Sequence, residues 1–398
     1  MTGNHLSESR IAVVFSSLGH LYIHLCTAFY FVIVLSLEEQ WNLPYHELIE
    51  LWTLGSLLVG VAALPAGLLS DRIGASIMMI IFFVGMGGAS IVAGLSSSPR
   101  FLMAGLAGIG MFAAIYHPVG IPWLVRNTNI ARGKALGLNG VFGAAGSALA
   151  GLVAGSLIEV FSWRAAFIIP GIVCALTGVA LLFFRRNGLV DDNTKDTFEA
   201  ATTETKGSRR VFPILLVTMF IAGLIFHATQ VSLPKFFEQR QDGLVADGAF
   251  GVGVLVAIVY GVAGLMQVLG GHLADRFSLK WVYVGAIFVQ VPTLWLASLL
   301  SGLPLVLIAT MMVMANTGAL PAENLILAHH TPAHRHGLVF GLKFVVSFGA
   351  APIAVALVAL VTSGTDELSI VYVLLAVLAV IAVIAAVLLP SERTAIAD

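Results

Sequence analysis

Charged residues are scarce in this chain, and their scarcity excludes an ordinary soluble protein. Asp, Glu, Lys and Arg make up 10% of the 398 residues, hydrophobic residues make up 59%, and the mean hydropathy is +0.98. A soluble globular domain has about 25% charged and about 45–50% apolar residues. The composition therefore predicts a membrane protein.

The net charge is small, cysteines are few and a nucleotide-binding loop is missing. Each of these features excludes a class of function. A net charge of −1 gives no reason to expect nucleic acid as a partner. The two cysteines, Cys26 and Cys174, lie inside apolar runs without metal-ligand spacing, so we expect ordinary buried side chains. The Gly-x-x-x-x-Gly-Lys-Ser/Thr loop is absent from the sequence, so ATP is not expected to drive the protein. We expect no cofactor, and no nucleophile–base set suggests an enzyme.

Twelve apolar runs are long enough to cross a bilayer, which takes about 20 mostly apolar residues. The runs are 11–37, 48–69, 75–95, 100–122, 134–159, 163–184, 211–237, 249–272, 279–300, 303–326, 337–362 and 368–389. They are too long, and alternate too little, for the strands of a β-barrel. The first run is too long for the apolar core of a signal peptide and is expected to be a span.

One long polar stretch, 185–210, separates six spans from the other six. It holds almost no large apolar side chains, so we expect a flexible cytoplasmic linker between two six-helix bundles, 1–184 and 211–398. Of the 20 Lys and Arg, 15 fall on the side of the N-terminus and Lys343 falls within a span. The four on the opposite side are Arg100, Arg164, Lys235 and Arg240. Because positive loops stay in the cytoplasm, both termini are expected there.

A charged motif between apolar runs occurs twice. Residues 67–74 read GLLSDRIG, and residues 271–277, 204 positions later, read GHLADRF. The same offset aligns the Gly-Leu pair before Asn139 with the Gly-Leu pair before Lys343. The chain is therefore predicted to consist of two related halves.

The motif resembles the signature loop of the major facilitator superfamily, Gly-x-Leu-x-Asp-Arg-x-Gly between spans two and three. The resemblance implies two pseudo-symmetric six-helix bundles of an all-α membrane protein, with twelve transmembrane helices and a substrate site between the bundles near mid-membrane. It also implies a gating role for the charged residues of both copies. These gating candidates are Asp71, Arg72, Asp275 and Arg276.

Span four resembles a narrower group, the fosmidomycin-resistance type of exporter. It carries Gly108 and Gly110 and ends in the aromatic-His-Pro tripeptide at 116–118. Two features of many proton-linked drug exporters are missing. Ala104 stands where they place Arg in span four, and the Gly-Pro signature of their fifth span is absent.

Polar side chains inside the spans are the candidates for function, because ionisable groups in a membrane are costly. The candidate substrate-binding residues are His24, Tyr30, Tyr116, His117, His227, Gln230, Tyr260, Asn316 and Lys343. Since histidine titrates near neutral pH and carboxylates bind protons, the candidate proton carriers are His24, His117, His227 and Glu323. The 203-residue spacing of His24 and His227 predicts that they lie on opposite walls of one cavity.

Each of these candidates has a plainer alternative. Lys343 contacts an anionic substrate, pairs with Glu323 of span ten, or lies too close to the cytoplasmic end of its span to contribute. A membrane histidine often only donates a hydrogen bond to a neighbouring helix. His20 and His24 share one helix face and could chelate a metal ion together with His117 or His227. No Glu lies between His20 and His24 as in the helix zinc signature of metalloenzymes, so no metal site is assigned.

The function expected is secondary active transport: proton-coupled export of a small polar or anionic compound by alternating access. The expected location is the inner (plasma) membrane, as a multi-pass monomer whose partners are the substrate, protons and the lipid bilayer. Two alternatives stay open. One is proton-coupled uptake of an organic anion, and the other is transport of a metal or metal chelate.

Overall fold

The computed structural model describes residues 2–128, 131–190, 210–331, 336–365 and 367–390, and within these ranges the chain is helical and has no β-strand. The helices are α1 (Thr2–Ala28), α2 (Tyr30–Trp41), α3 (Tyr45–Glu50), α4 (Thr53–Val61), α5 (Ala63–Ile73), α6 (Ala75–Gly94), α7 (Pro99–Ala113), α8 (Ile121–Asn127), α9 (Arg132–Val160), α10 (Trp163–Arg186), α11 (Val211–Arg240), α12 (Ala249–Gly264), α13 (Met266–Arg276), α14 (Leu279–Ala297), α15 (Gly302–His329), α16 (His336–Gly364) and α17 (Ser369–Val387). A π-helical turn, Tyr116–Gly120, lies between α7 and α8.

The helices account for the predicted membrane spans. Among the described residues, eleven helical stretches are long and apolar enough to cross a bilayer. A twelfth span comes from Tyr45–Val61 and Ala63–Ile73, which meet at a bend of 47° and together cover the predicted run 48–69. Span one is longer than predicted, because α1 and α2 continue one another from Ser9 to Trp41. The twelve apolar runs were therefore placed correctly, with small differences at their ends.

Local sequence explains how several helices begin and end. Ser98 caps α7 by accepting a hydrogen bond from the backbone N–H of Phe101, and Pro99 occupies the first helical position. Gly74 ends α5 with φ of +96°, a conformation that favours glycine. In the second copy of the motif the corresponding turn ends at Ser278 with φ of −55°. The motif's last glycine is therefore required in the first copy only.

Both copies of the motif follow an interrupted helix. In the first half the interruption is at Ala62, between α4 and α5. In the second half it is at Leu265, between α12 and α13. The two positions are 203 apart, which agrees with the offset of the repeated motif. The predicted duplication therefore extends to a local irregularity of the backbone.

The chain forms two compact units. Unit 1 comprises residues 1–197, 233–238 and 245–257, and unit 2 comprises 198–232, 239–244 and 258–398. In unit 1, α6 packs along α10 and α1 along α9, and in unit 2, α14 packs against α15 and α17. Most of the predicted linker, 185–210, lies outside the described residues. The predicted bundle boundaries at 184 and 211 stay a prediction.

Small residues let helices of unit 1 approach closely. A Cβ atom on Gly87 of α6 would lie 2.4 Å from the carbonyl oxygen of Gly171 on α10, and one on Gly110 of α7 would lie 2.0 Å from that of Gly55 on α4. Glycine at such positions is the usual means of close packing between membrane helices. Large apolar side chains meanwhile cover the outer surface, as at Leu360, which is 72% exposed. An apolar exterior of this kind suits a lipid environment.

Candidate functional site

Three histidines of unit 1 come together at the middle of the first and fourth spans. His20 and His24 lie one turn apart on α1, with ring centroids 5.0 Å apart. His117, from the π-helical turn, lies 5.6 Å from His20 and 5.9 Å from His24 by the same measure. All three are partly exposed, and one ring nitrogen from each lies within 4.8 Å of the others. The predicted pair of histidines on one face of α1 is thus joined by His117 rather than by a residue of the same helix.

The π-helical turn explains how His117 reaches the two histidines of α1. Pro118 has no N–H to donate and its ring crowds the carbonyl four residues earlier, so a regular α-helix is disfavoured here. The chain instead takes one wider turn over Tyr116–Gly120. Such turns insert one residue into a helix and are frequent at functional sites. The aromatic-His-Pro tripeptide therefore marks an irregular backbone segment, which spacing alone did not predict.

A neutral hydrogen-bonded network includes His20. The Asn139 amide of α9 donates to the Tyr116 hydroxyl at 2.8 Å, and the Tyr116 hydroxyl lies 2.9 Å from the Ser16 carbonyl oxygen. His20 Nδ1 lies 2.8 Å from the carbonyl oxygen of Asn139. Because a carbonyl oxygen only accepts, His20 must donate its Nδ1–H, which leaves Nε2 as an acceptor. This network fixes both the position and the tautomer of His20.

A charged network occupies unit 2. Lys343 Nζ of α16 lies 2.7 Å from Glu323 Oε1 of α15, and the two side chains are 8% and 3% exposed. The ammonium also donates to the side-chain oxygen of Asn324 at 2.5 Å. The other oxygen of Glu323 accepts from the Tyr283 hydroxyl at 2.9 Å, and that hydroxyl lies 2.9 Å from Thr218 Oγ1. Of the alternatives for Lys343, the structure contains the ion pair with Glu323.

The two networks occupy equivalent places in the repeat. Asn139 and Lys343 are 204 positions apart, and each pairs with a residue of the preceding span of its own half. Asn139 and Lys343 are both buried. The same register position therefore carries a neutral amide in one half and an ammonium in the other.

The remaining substrate-binding candidates of unit 2 have different surroundings. His227 lies beside the rings of Phe226 and Phe348, with centroids 5.3 and 6.1 Å away. Asn316 is buried and donates to Gln290 Oε1 at 3.3 Å. Gln230 and Tyr260 are 9% and 6% exposed. The buried Tyr260 hydroxyl has no hydrogen-bond partner among the described residues.

Two other groups of predicted residues lie apart from these networks. Tyr30 is fully buried and its hydroxyl donates to the Leu48 carbonyl oxygen at 2.5 Å, which joins α2 to α3. The gating candidates are exposed and lie at the C-terminal ends of α5 and α13. They are Asp71, Arg72, Asp275 and Arg276. His24 belongs to unit 1 and His227 to unit 2, so their facing one another stays a prediction.

Sequence reasoning missed several members of the networks. Tyr283 and Thr218 are uncharged hydroxyl residues, and the sequence did not set them apart from the other polar residues of their spans, such as Gln290 and Gln230. Ser16 lies four residues before His20 and therefore on the same face of α1, a signal that was available. Asn139 was noted only for its 204-residue pairing with Lys343.

Comparison with known proteins agrees with this architecture. A sequence profile of the Major Facilitator Superfamily matches residues 17–263 and 245–397. Multidrug resistance protein MdtG of Proteus mirabilis is 25% identical over 306 residues, 74% of this chain and 75% of the relative. The protein of the same name from Escherichia coli O17:K52:H18 is 25% identical over 315 residues, 76% of each chain.

Solved structures show the same fold. A bacterial homologue of the human lysosomal transporter Spinster, inward-facing and unoccupied, superposes with a TM-score of 0.78 at 14% identity, covering 95% of this chain and 96% of that one. A peptide transporter POT in complex with sulfate gives 0.76 at 14% identity, covering 96% and 93%. The predicted fold of two pseudo-symmetric helical bundles is confirmed. This multi-span membrane protein belongs to the Major Facilitator Superfamily.

Proposed function

We propose that this chain is a proton-coupled secondary transporter that exports a small polar or anionic compound across the plasma membrane by alternating access. The buried ion pair between Lys343 and Glu323 carries the proposal. A charge without a counter-charge in a membrane span is costly. If one partner of the pair is neutralised, the other must therefore find a new counter-charge or lose its own charge. A proton and a substrate group that binds the ionised Glu323 carboxylate would therefore compete for the same side chain.

The names of the relatives support the export direction, since both are called multidrug resistance proteins. Export driven by an inward proton gradient requires that proton and substrate exclude each other. A polar, hydrogen-bond-donating substrate that binds the ionised Glu323 carboxylate would meet that requirement. The Tyr260 hydroxyl, buried and without a described partner, is a second group that a polar substrate would satisfy.

The same ion pair also supports a second candidate function, the uptake of an organic anion together with a proton. An anion that replaces Glu323 as the partner of Lys343 would leave Glu323 uncompensated, and Glu323 would then take up a proton. Anion and proton would be bound at the same time, which an inward proton gradient turns into uptake. The direction therefore depends on whether the substrate binds the Glu323 carboxylate or the Lys343 ammonium.

The same family architecture supports further proposals about topology. We place both termini in the cytoplasm, because 15 of the 20 Lys and Arg fall on that side. The exposed motif residues Asp71, Arg72, Asp275 and Arg276 are proposed to contribute to gating at the cytoplasmic face. The protein is proposed to act as a monomer.

Purified protein in liposomes under an imposed pH gradient tests these functions. Labelled fosmidomycin, a small phosphonate, and a panel of other anionic and polar compounds serve as probes. Antiport concentrates a probe in the acidic compartment and symport in the alkaline compartment, whichever way the protein is oriented. Accumulation in the acidic compartment is expected. Absence of flux across the whole panel would reject the transport proposal.

A matched variant pair tests the role of Glu323. Glu323→Gln is expected to abolish accumulation against a gradient and to keep exchange of labelled for unlabelled probe, because exchange needs no net proton movement. Glu238→Gln, which alters a carboxylate paired with Lys235 instead, is the control and should accumulate normally. Unchanged accumulation by Glu323→Gln would remove this residue from the proton path.

A further inference from the structure

We propose that His20, His24 and His117 form a binding site for a divalent transition-metal ion, with Zn²⁺ as the natural match. Each histidine offers one ring nitrogen, and these nitrogens lie within 4.8 Å of one another. Imidazole is a ligand preferred by zinc, copper and nickel, whereas Mg²⁺ and Ca²⁺ prefer oxygen. A set of three imidazoles therefore selects a transition metal.

The hydrogen bond of His20 prepares this residue for a metal. Its Nδ1–H donates to the Asn139 carbonyl oxygen at 2.8 Å, so Nε2 keeps its lone pair and is the nitrogen available to bind a metal. Metal-binding histidines almost always donate their second nitrogen to a carbonyl or carboxylate in this way. The outer partner is itself fixed, since the Asn139 side chain bonds to Tyr116 at 2.8 Å.

The geometry needs only a small contraction. Zinc–nitrogen bonds of about 2.0–2.1 Å in a tetrahedral site place ligand nitrogens roughly 3.4 Å apart. Rotation of the His24 and His117 side chains would bring their nitrogens from within 4.8 Å to this separation. Three protein ligands leave the fourth position to water or to a small ligand, as in open zinc sites.

A glycine of the fifth span gives the cluster its space. A Cβ atom on Gly143 of α9 would lie 2.6 Å from both Cε1 and Nε2 of His20. Any larger residue would therefore push the His20 ring away from its present position. Gly143→Ala consequently tests the site without removing a ligand.

The alternative is that the three rings only pack, in an aromatic cluster that includes Tyr116 stacked on His20 at 5.1 Å. Metal binding to the purified full chain, prepared without a polyhistidine tag, distinguishes the two. Cobalt(II) is the probe, because it replaces zinc and gives strong visible absorption bands in tetrahedral nitrogen sites. The expected result is one equivalent bound, with displacement by Zn²⁺.

Variants of the ligands provide the decisive comparison. His24→Ala and His117→Ala are each expected to weaken cobalt binding by about 100-fold or more, beyond the ~10–100-fold of outer-shell changes, and Gly143→Ala to weaken it less. The control is the double variant His329→Ala/His330→Ala, in a histidine pair at the end of α15, which should bind as the wild type does.

Thermal unfolding checks that every variant is folded, and His117→Gln replaces His117→Ala if the latter is not. Wild-type protein without stoichiometric cobalt or zinc binding, or His24 and His117 variants that bind as well as wild type, would overturn the proposal. Because binding is measured without flux, the result is independent of the proposed transport function.

Discussion

The ion pair between Lys343 and Glu323 gives the sharpest stability prediction. With side chains 8% and 3% exposed, neither partner has enough contact with solvent to be hydrated once the other is removed. Removing one member of a buried pair costs about 3–5 kcal/mol, because an uncompensated charge stays buried. Glu323→Leu and Lys343→Met should therefore each destabilise the protein by about this amount.

The double variant Glu323→Leu/Lys343→Met should recover most of the loss. Replacing a buried pair by apolar side chains of similar volume is often neutral or stabilising, by about 1–4 kcal/mol. The Tyr283 hydroxyl, which loses its carboxylate acceptor, keeps Thr218 at 2.9 Å and so limits the residual cost. The double variant should accordingly be more stable than either single variant.

Denaturation of the four proteins in detergent measures this double-mutant cycle. A coupling free energy well above the usual limit of about 0.5 kcal/mol for independent sites is expected. Additive losses, in which the double variant is the least stable of the four, would refute the buried pair. The same double variant should show no proton-driven accumulation although it is folded.

Three further predictions concern single positions. Asn139→Leu should destabilise the protein by about 1–3 kcal/mol in the same denaturation assay, because the buried Tyr116 hydroxyl loses a partner. Gly74→Ala should cost about 1–3 kcal/mol, since φ is +96° there, whereas Ser278→Ala in the second motif should be nearly neutral; equal effects would contradict the difference between the two turns. Cys26 and Cys174 are buried free thiols and should react with maleimide only when the protein unfolds; rapid labelling of native protein would contradict their burial.

Much of the fold could be predicted from the sequence, because membrane spans need long apolar runs and the charged motif recurs at a fixed offset. The partners of the polar residues could not. Periodicity assigns a residue to a helix face, but it does not say which helix packs against that face. Glu323 and Lys343 were paired as one alternative because both are charged. Tyr283, an uncharged side chain, carried no such signal.

The π-helical turn shows a second limit of sequence reasoning. Pro118 predicts that a regular helix is disturbed, but several backbone adjustments satisfy a proline. In the structure the wider turn at Tyr116–Gly120 carries His117, which completes the three-histidine cluster with His20 and His24. For that reason the histidines of α1 were seen from the sequence, and their third member remained one of two alternatives.

The two halves carry different polar chemistry, which suggests that they have different roles in transport. The register position shared by Asn139 and Lys343 carries a neutral amide in unit 1 and a charge in unit 2. Protonation of Glu323 would neutralise one partner of the ion pair with Lys343. The hydrogen bond between Asn139 and Tyr116 joins two uncharged groups and does not require a proton to be gained or lost. We therefore expect the proton dependence of transport to follow unit 2 variants. Unit 1 variants such as His117→Gln should alter binding of a metal or other ligand and leave the coupling to the proton gradient intact.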